Sequence, residues 1–305
     1  MKKNNSELEK RLTAKLEADQ KQGDTKWNAT TIYQEIDKII IGNRNYKEVL
    51  SVTLSKYLGP KAESHPLLVA GPSGTGKTYL LRKILPILKV PYKIIDAASL
   101  VGAGYAGTTL MASLEDFFKS NMTASKQNIL VVDEFDKISD KVGNNWSHQI
   151  QSELLTLVEG RQEGSVDTRN SLWIFLGAFS YTDEMKRSPP TLTERDLLKY
   201  SFQNELLGRL RSFVMTDIPT LSELVQRVLN DESFNSFHED CANEGKTAEF
   251  EDDALLEIIR MVQRPEFGMR MLGKVLMSLR RHVIFSPDAE VTITPETVRK
   301  CMPGL

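Results

Sequence analysis

The stretch Leu67-Leu-Val-Ala-Gly71-Pro-Ser-Gly-Thr-Gly76-Lys77-Thr78-Tyr79 decides the fold. Four consecutive apolar residues predict a short strand covered on both faces, because a strand with one wet face alternates apolar and polar positions. Gly71 to Thr78 then satisfies G-x-x-x-x-G-K-[ST], and the periodicity from Tyr79 to Leu88 predicts a helix directly after it. Strand, glycine-rich loop and helix in that order make an anion cradle. The glycines permit the tight turn, successive backbone N–H groups converge on one anion, and the helix adds the positive end of its dipole. Gly71, Pro72, Ser73, Gly74, Thr75, Gly76, Lys77, Thr78 and Tyr79 are therefore the expected nucleotide-binding segment. Lys77 would bridge the β- and γ-phosphates of ATP, and the Thr78 hydroxyl would hold Mg²⁺.

Working outward, strands are expected at Tyr92 to Ile95, Asn128 to Val132 and Ser171 to Ala178, and helices at Thr108 to Phe118 and His148 to Val158. Unbroken apolar strands alternating with helices of about ten residues call for an α/β architecture, a parallel sheet covered on both faces. The apolar run Ile129 to Val132 ends in Asp133 and Glu134, at the strand end where open α/β sheets bind ligands. Asp133 would orient the Mg²⁺ with Thr78, and Glu134 would polarise the water that attacks the γ-phosphate. The break at Asp217-Ile218-Pro219 closes a large domain over 28–217. Beyond it, helical spacing at Leu221 to Leu229, Asp253 to Val262 and Met269 to Ile284, a strand at Glu290 to Ile293 and a helix turn at Pro295 predict a small, mostly helical domain over 218–305. Residues 1–27 are polar, with Leu8, Leu12 and Leu16 on one thin stripe, a solvated helix or a docking helix.

A length of 305 residues fits about two domains, and 40% hydrophobic with 26% charged residues leaves apolar mass for real cores and excludes a disordered chain. Thirty-nine Lys plus Arg against 41 Asp plus Glu give a charge of -2, so no global field draws the chain to nucleic acid or anionic lipid. Two cysteines, Cys241 and Cys301, with four scattered histidines exclude a disulfide framework and a zinc module. The start, Lys2-Lys3-Asn4-Asn5-Ser6, lacks the apolar core of a signal peptide, and no run approaches a membrane span of ~18 apolar residues. The expected location is the cytoplasm.

With both motifs placed, the chain resembles the AAA+ ATPases, and among them the ClpX-type and HslU-type protein unfoldases, from about Ile39 to Ile293. Ile40-Ile41-Gly42-Asn43 is similar to the family's adenine-pocket segment, and Val131 to Ile138 to its extended Walker B form. Asp196 to Tyr200 followed by Glu205 to Leu210 resembles the box that carries the arginine finger, which the resemblance places at Arg209, with Arg211 as the alternative. Gly268-Met269-Arg270 resembles sensor 2, so Arg270 would reach the nucleotide from the small domain. Ser180, after the fourth strand, falls where the family carries its polar sensor-1 residue. Gly102 to Gly107 falls where these unfoldases carry an aromatic pore loop, so Gly104, Tyr105, Ala106 and Gly107 would grip protein substrate.

The resemblance implies a homo-oligomeric ring, hexameric in this family, that remodels protein substrates with ATP. It also has departures. No four-Cys zinc module precedes the ATPase segment, and no Ile-Gly-Phe tripeptide, by which ClpX-type rings dock on their peptidase, lies between Phe179 and Leu197. The stretch Glu159 to Ser171 lacks the basic cluster of the second pore loop, and the tail Cys301 to Leu305 does not resemble the HslU-type docking peptide. A remodeller working without the usual peptidase is the leading expectation. The rival readings are an AAA+ DNA-associated switch or loader, against which the -2 charge stands, and a nucleotide-dependent scaffold, against which Glu134 stands.

Overall fold

A computed structural model describes residues 27–101, 108–121, 127–139, 146–187, 190–264 and 268–303. Helix α1 (Ala29–Ile39) starts at a reciprocal cap, in which Thr31 N donates to Asn28 Oδ1 at 2.9 Å and Asn28 N to Thr31 Oγ1 at 3.0 Å. Its Ile32 and Ile36, one turn apart, are buried with α2 (Arg44–Leu58) against the sheet.

The sheet is built from β1 (Leu67–Ala70), β2 (Tyr92–Asp96), β3 (Asn128–Asp133), β4 (Ser171–Gly177) and β5 (Ser212–Met215), in the order β2-β3-β4-β1-β5 with every pairing parallel. In register, Val131 and Leu67 both stand opposite Ile174. The period-two geometry of strands divides the side chains cleanly. Leu68, Leu130, Val132, Trp173 and Phe175 enter one core with α4 (Leu110–Ser120) and α5 (Ser147–Val158). Leu67, Val69, Ile129, Val131, Leu172 and Ile174 enter a second core with α1, α2 and α3 (Lys77–Leu88). A third core is formed by α6 (Leu221–Leu229), α7 (Glu232–Asn243), α8 (Asp252–Gln263), α9 (Arg270–Ile284) and α10 (Pro295–Cys301), flanked by a two-stranded parallel pair, β6 (Thr247–Phe250) with β7 (Glu290–Ile293).

The parallel α/β sheet and the helical C-terminal part agree with the expected fold class. The sheet has one strand more than the four expected. β5 is only four residues long and follows directly on Arg209 and Arg211, so its apolar signal is too short to stand out. Gln162–Glu163 and Val166–Asp167 pair as a small hairpin in a stretch that reads as polar loop. Residues 1–26 and the Gly102 to Gly107 segment, with the expected pore-loop residues, lie outside the described residues. Either side of the latter, Leu100 and Thr108 form a parallel bridge, and Val101 N donates to Thr108 O at 3.2 Å.

Candidate nucleotide-binding site

A cavity of about 560 Å³, within the usual range for small-molecule sites, opens where β1, β3 and β4 end and where α6 and α9 approach them. Ser73, Gly74, Gly76, Lys77, Thr78 and Tyr79 form one wall, while Gly71, Pro72 and Thr75, expected there too, do not line the cavity. Thr75 braces the loop: its hydroxyl donates to the Pro72 carbonyl at 2.9 Å and accepts from Thr216 Oγ1 at 3.0 Å. Gly76 has φ +95, and a Cβ there would lie 2.3 Å from Ile40 Cδ1. Glycine therefore lets the Ile40 side chain seat directly on the loop. Ile40 and Ile41 both line the cavity.

Lys77 opens α3 and is only 9% exposed. Its ammonium donates to the carbonyls of Gly71 at 2.5 Å and Pro72 at 2.9 Å. Burial pushes its pKa down to about 8, against the opposing pull of Asp136 and Asp133. Thr78 Oγ1 donates to Asp133 Oδ2 at 2.9 Å, so the hydroxyl and carboxylate expected at Mg²⁺ converge on one point. Among the described residues no cluster of three or more His, Cys, Asp or Glu could hold a metal by itself. A hydroxyl beside a single carboxylate is the sparse donor set that suits Mg²⁺, which keeps its waters and shares phosphate oxygens.

Glu134 lies in the cavity wall because its backbone is left-handed, with φ 55, at the step from β3 into a 3₁₀ turn over Phe135–Ile138. Its N–H donates to Asp133 Oδ1 at 3.0 Å. That conformation costs a non-glycine residue roughly 1 kcal/mol and is the kind of strain that collects at functional sites. The same turn carries Asp136, 1% exposed, into the cavity wall, where its Oδ1 accepts from Ala178 N at 3.0 Å and its other oxygen pairs with Lys137 at 3.3 Å. The motif quoted from the sequence included Asp136 without a task for it.

Arg270, the first residue of α9, and Met269 line the cavity from the opposite side. Gly268 has φ +55, and a Cβ there would come within 3.0 Å of Gly74 Cα and Ser73 O. Only a glycine brings α9 this close to the phosphate loop. Lys83 on α3 pairs with Glu232 on α7 at 3.1 Å across the cavity mouth.

Three further expected residues, Ser180, Arg209 and its alternative Arg211, do not line this cavity. Ser180 is exposed and does not line the cavity. The β4 end contributes Gly177 and Ala178 instead, and the left-handed turn at buried Phe179, φ 50, carries the next residue away. Arg209 and Arg211 line a separate depression with Ser64, Pro66, Val158 and Glu159. It lies beside the start of β1, whereas the phosphate loop follows its end. Arg209 is paired there with Glu159. Sequence reasoning passed over Arg227, a buried α6 residue of the cavity wall, because an arginine in an amphipathic helix carries no local signature.

Residues 67–199 match the family described as "ATPase family associated with various cellular activities (AAA)". The chain is 26% identical to the "ATP-dependent Clp protease ATP-binding subunit ClpX 2" of Wolinella succinogenes, with 88% of this chain and 79% of that protein covered. It is 27% identical to the ClpX subunit of Bacteroides thetaiotaomicron, covering 84% of this chain and 76% of the relative. A shorter match to the ClpX of Azotobacter vinelandii reaches 32% identity over 48% of this chain and 42% of that protein. No helix among the described residues is long and apolar enough to cross a membrane. A phosphate loop after β1, paired carboxylates at the end of β3 and these matches support an AAA+ ATPase similar to the ClpX type, with its AAA segment at residues 67–199.

Proposed function

We propose that the chain is an ATP-driven protein unfoldase that works as a ring, of six subunits as in the family it resembles, without the usual peptidase. The observation that carries this reading is the separation of Arg209 and Arg211 from the chain's own nucleotide cavity. A cation at the far end of β1 can meet a γ-phosphate only in a neighbouring subunit, and such a cation is worth roughly 10³–10⁵ in rate in P-loop enzymes.

Within one subunit, Ile40 and Ile41 would flank the base. The loop amides and Lys77 would hold the phosphates, Lys77 leaving its own carbonyl partners to do so. Thr78 and Asp133 would hold Mg²⁺, which when bound neutralises phosphate charge. Glu134 would take a proton from water as its oxygen bonds to the γ-phosphorus and the bond to the ADP oxygen breaks. Asp136, anchored to the Ala178 amide, would keep the ends of β3 and β4 in register around that water. Arg270 would read the phosphates from α9, so that binding and release swing the helical part against the sheet. Tyr105 would carry the stroke to substrate, its ring offering apolar area at low rotamer cost. The relatives are named as subunits of a protease. The lack of Ile-Gly-Phe between Phe179 and Leu197 supports work without that partner.

Subunit mixing tests this. Glu134→Gln should bind ATP yet turn over at least about a hundredfold slower, and an Arg209→Ala, Arg211→Ala double variant should be similarly slow. Mixed, the two should recover part of the wild-type rate, because intact sites then meet intact cations. Mixtures no faster than their components would refute shared sites.

A further inference from the structure

The hydrolysis scheme leaves Arg227 unused. It projects from α6 into the cavity wall and is 8% exposed. Its Nε donates to the Ile41 carbonyl at 2.8 Å, which fixes the guanidinium beside the aliphatic segment Ile39 to Ile41 that shares the wall. That bond is its single hydrogen bond among the described residues; Nη2, without an acceptor, is packed beside Gly42 and Glu223, and the rest of the guanidinium is the part that can line the cavity. Glu223, one turn earlier on α6, spends Oε2 on Thr220 N and Thr220 Oγ1. Among the described residues no carboxylate oxygen lies within 4 Å of the guanidinium, although Glu223 and Asp217 are near enough to favour its charge.

Arginine carries five N–H donors and no acceptor. A guanidinium buried to this degree with one protein acceptor is costly unless something else in the cavity accepts from it. The phosphates have other donors close by, in the loop amides, Lys77 and Arg270. Beside Ile41, the bound nucleotide would present its base.

We propose that Arg227 reads the nucleobase, donating a hydrogen bond to a ring nitrogen of the purine, so that the base is selected by a polar contact as well as by the aliphatic side chains. This rests on the reading that the cavity holds ATP.

The test is displacement of a ribose-labelled fluorescent ATP from the full chain in EDTA, by ATP and by analogues in which N1, N3 or N7 is replaced by C–H. One analogue should bind about tenfold weaker than ATP, the size expected for losing a bond from a charged donor. That deficit should shrink to within about twofold in Arg227→Met. Arg227→Lys, which keeps charge and stem but moves the donor, should shrink it too, and serves if the methionine variant does not fold. Three analogues all binding like ATP, or a deficit unchanged in both variants, would overturn the proposal. Failure of ATP itself to displace the probe is a different result, and would sink the nucleotide reading of the cavity along with it.

Discussion

Asn43 is hydrogen-bonded to the phosphate loop: its Nδ2 donates to the Thr75 carbonyl at 2.7 Å, while its Oδ1 accepts from Asp217 N at 2.9 Å. One buried amide thus ties the segment after α1, the loop, and the stretch that leads from β5 to α6. Asn43 is left-handed, with φ 54, a conformation asparagine tolerates better than most residues. Asn43→Ala should lose about 1–3 kcal/mol of stability by orphaning the buried Thr75 carbonyl and the part-buried Asp217 N–H. Asn43→Gly, which relieves the backbone but restores neither bond, should remain well below wild type. Thermal denaturation of the three proteins checks this, and a glycine variant as stable as wild type would assign the role to φ alone.

ATP affinity should depend on pH through Lys77. Because its pKa is lowered to about 8, raising pH through that value removes the positive charge that phosphate requires. Measured in EDTA, ATP should bind about tenfold weaker at pH 9 than at pH 7. Lys77→Met should bind weakly and without that slope. The same depression works oppositely on folding. Between about 8 and the ordinary lysine value the unfolded chain binds more protons, so the Lys77 contribution to stability rises with pH in that window.

Gly268→Ala should raise the KM for ATP several-fold while kcat changes less, because a Cβ at 3.0 Å from Gly74 Cα pushes α9 and Arg270 off the loop. Part of the change is the cost of a left-handed alanine, about 1 kcal/mol. Steady-state kinetics with ATP as the varied substrate decide it. An unchanged KM would mean that the approach of α9 to the loop is incidental to binding.

Tyr105→Ala should keep ATPase within about twofold of wild type and lose at least tenfold in unfolding of a fluorescent test protein. Equal loss of both would place Tyr105 in folding or assembly instead of substrate grip.

The strands and the phosphate loop were legible because their signals are local. Leu67 to Thr78 is a strand, a turn chemistry and a helix start within twelve positions, and Ile129 to Glu134 ends its apolar run on the carboxylates themselves. The parts that escaped depend on distant partners or on a single backbone angle. Ser180 falls outside the cavity because Phe179 turns the chain, and one left-handed residue leaves no trace in residue order. Asp136 gains meaning only from the amide of Ala178, and Arg227 only from the carbonyl of Ile41. β5 is a strand because β1 offers it an edge: Leu67 pairs with Ser212 and Ala70 with Met215.

That last pairing bears on how the chain is made. β1 sits between β4 and β5, so the strand that launches the phosphate loop gains its first hydrogen-bonding neighbour only when residues near 177 have been synthesised, and its second only near 215. Contacts so far apart in the chain form slowly, and an unpaired apolar strand meanwhile invites association with other chains. A nascent polypeptide stalled before Met215 would expose Leu67 to Ala70 along one edge, and therein lies a reason for a chaperone to attend the birth of this one.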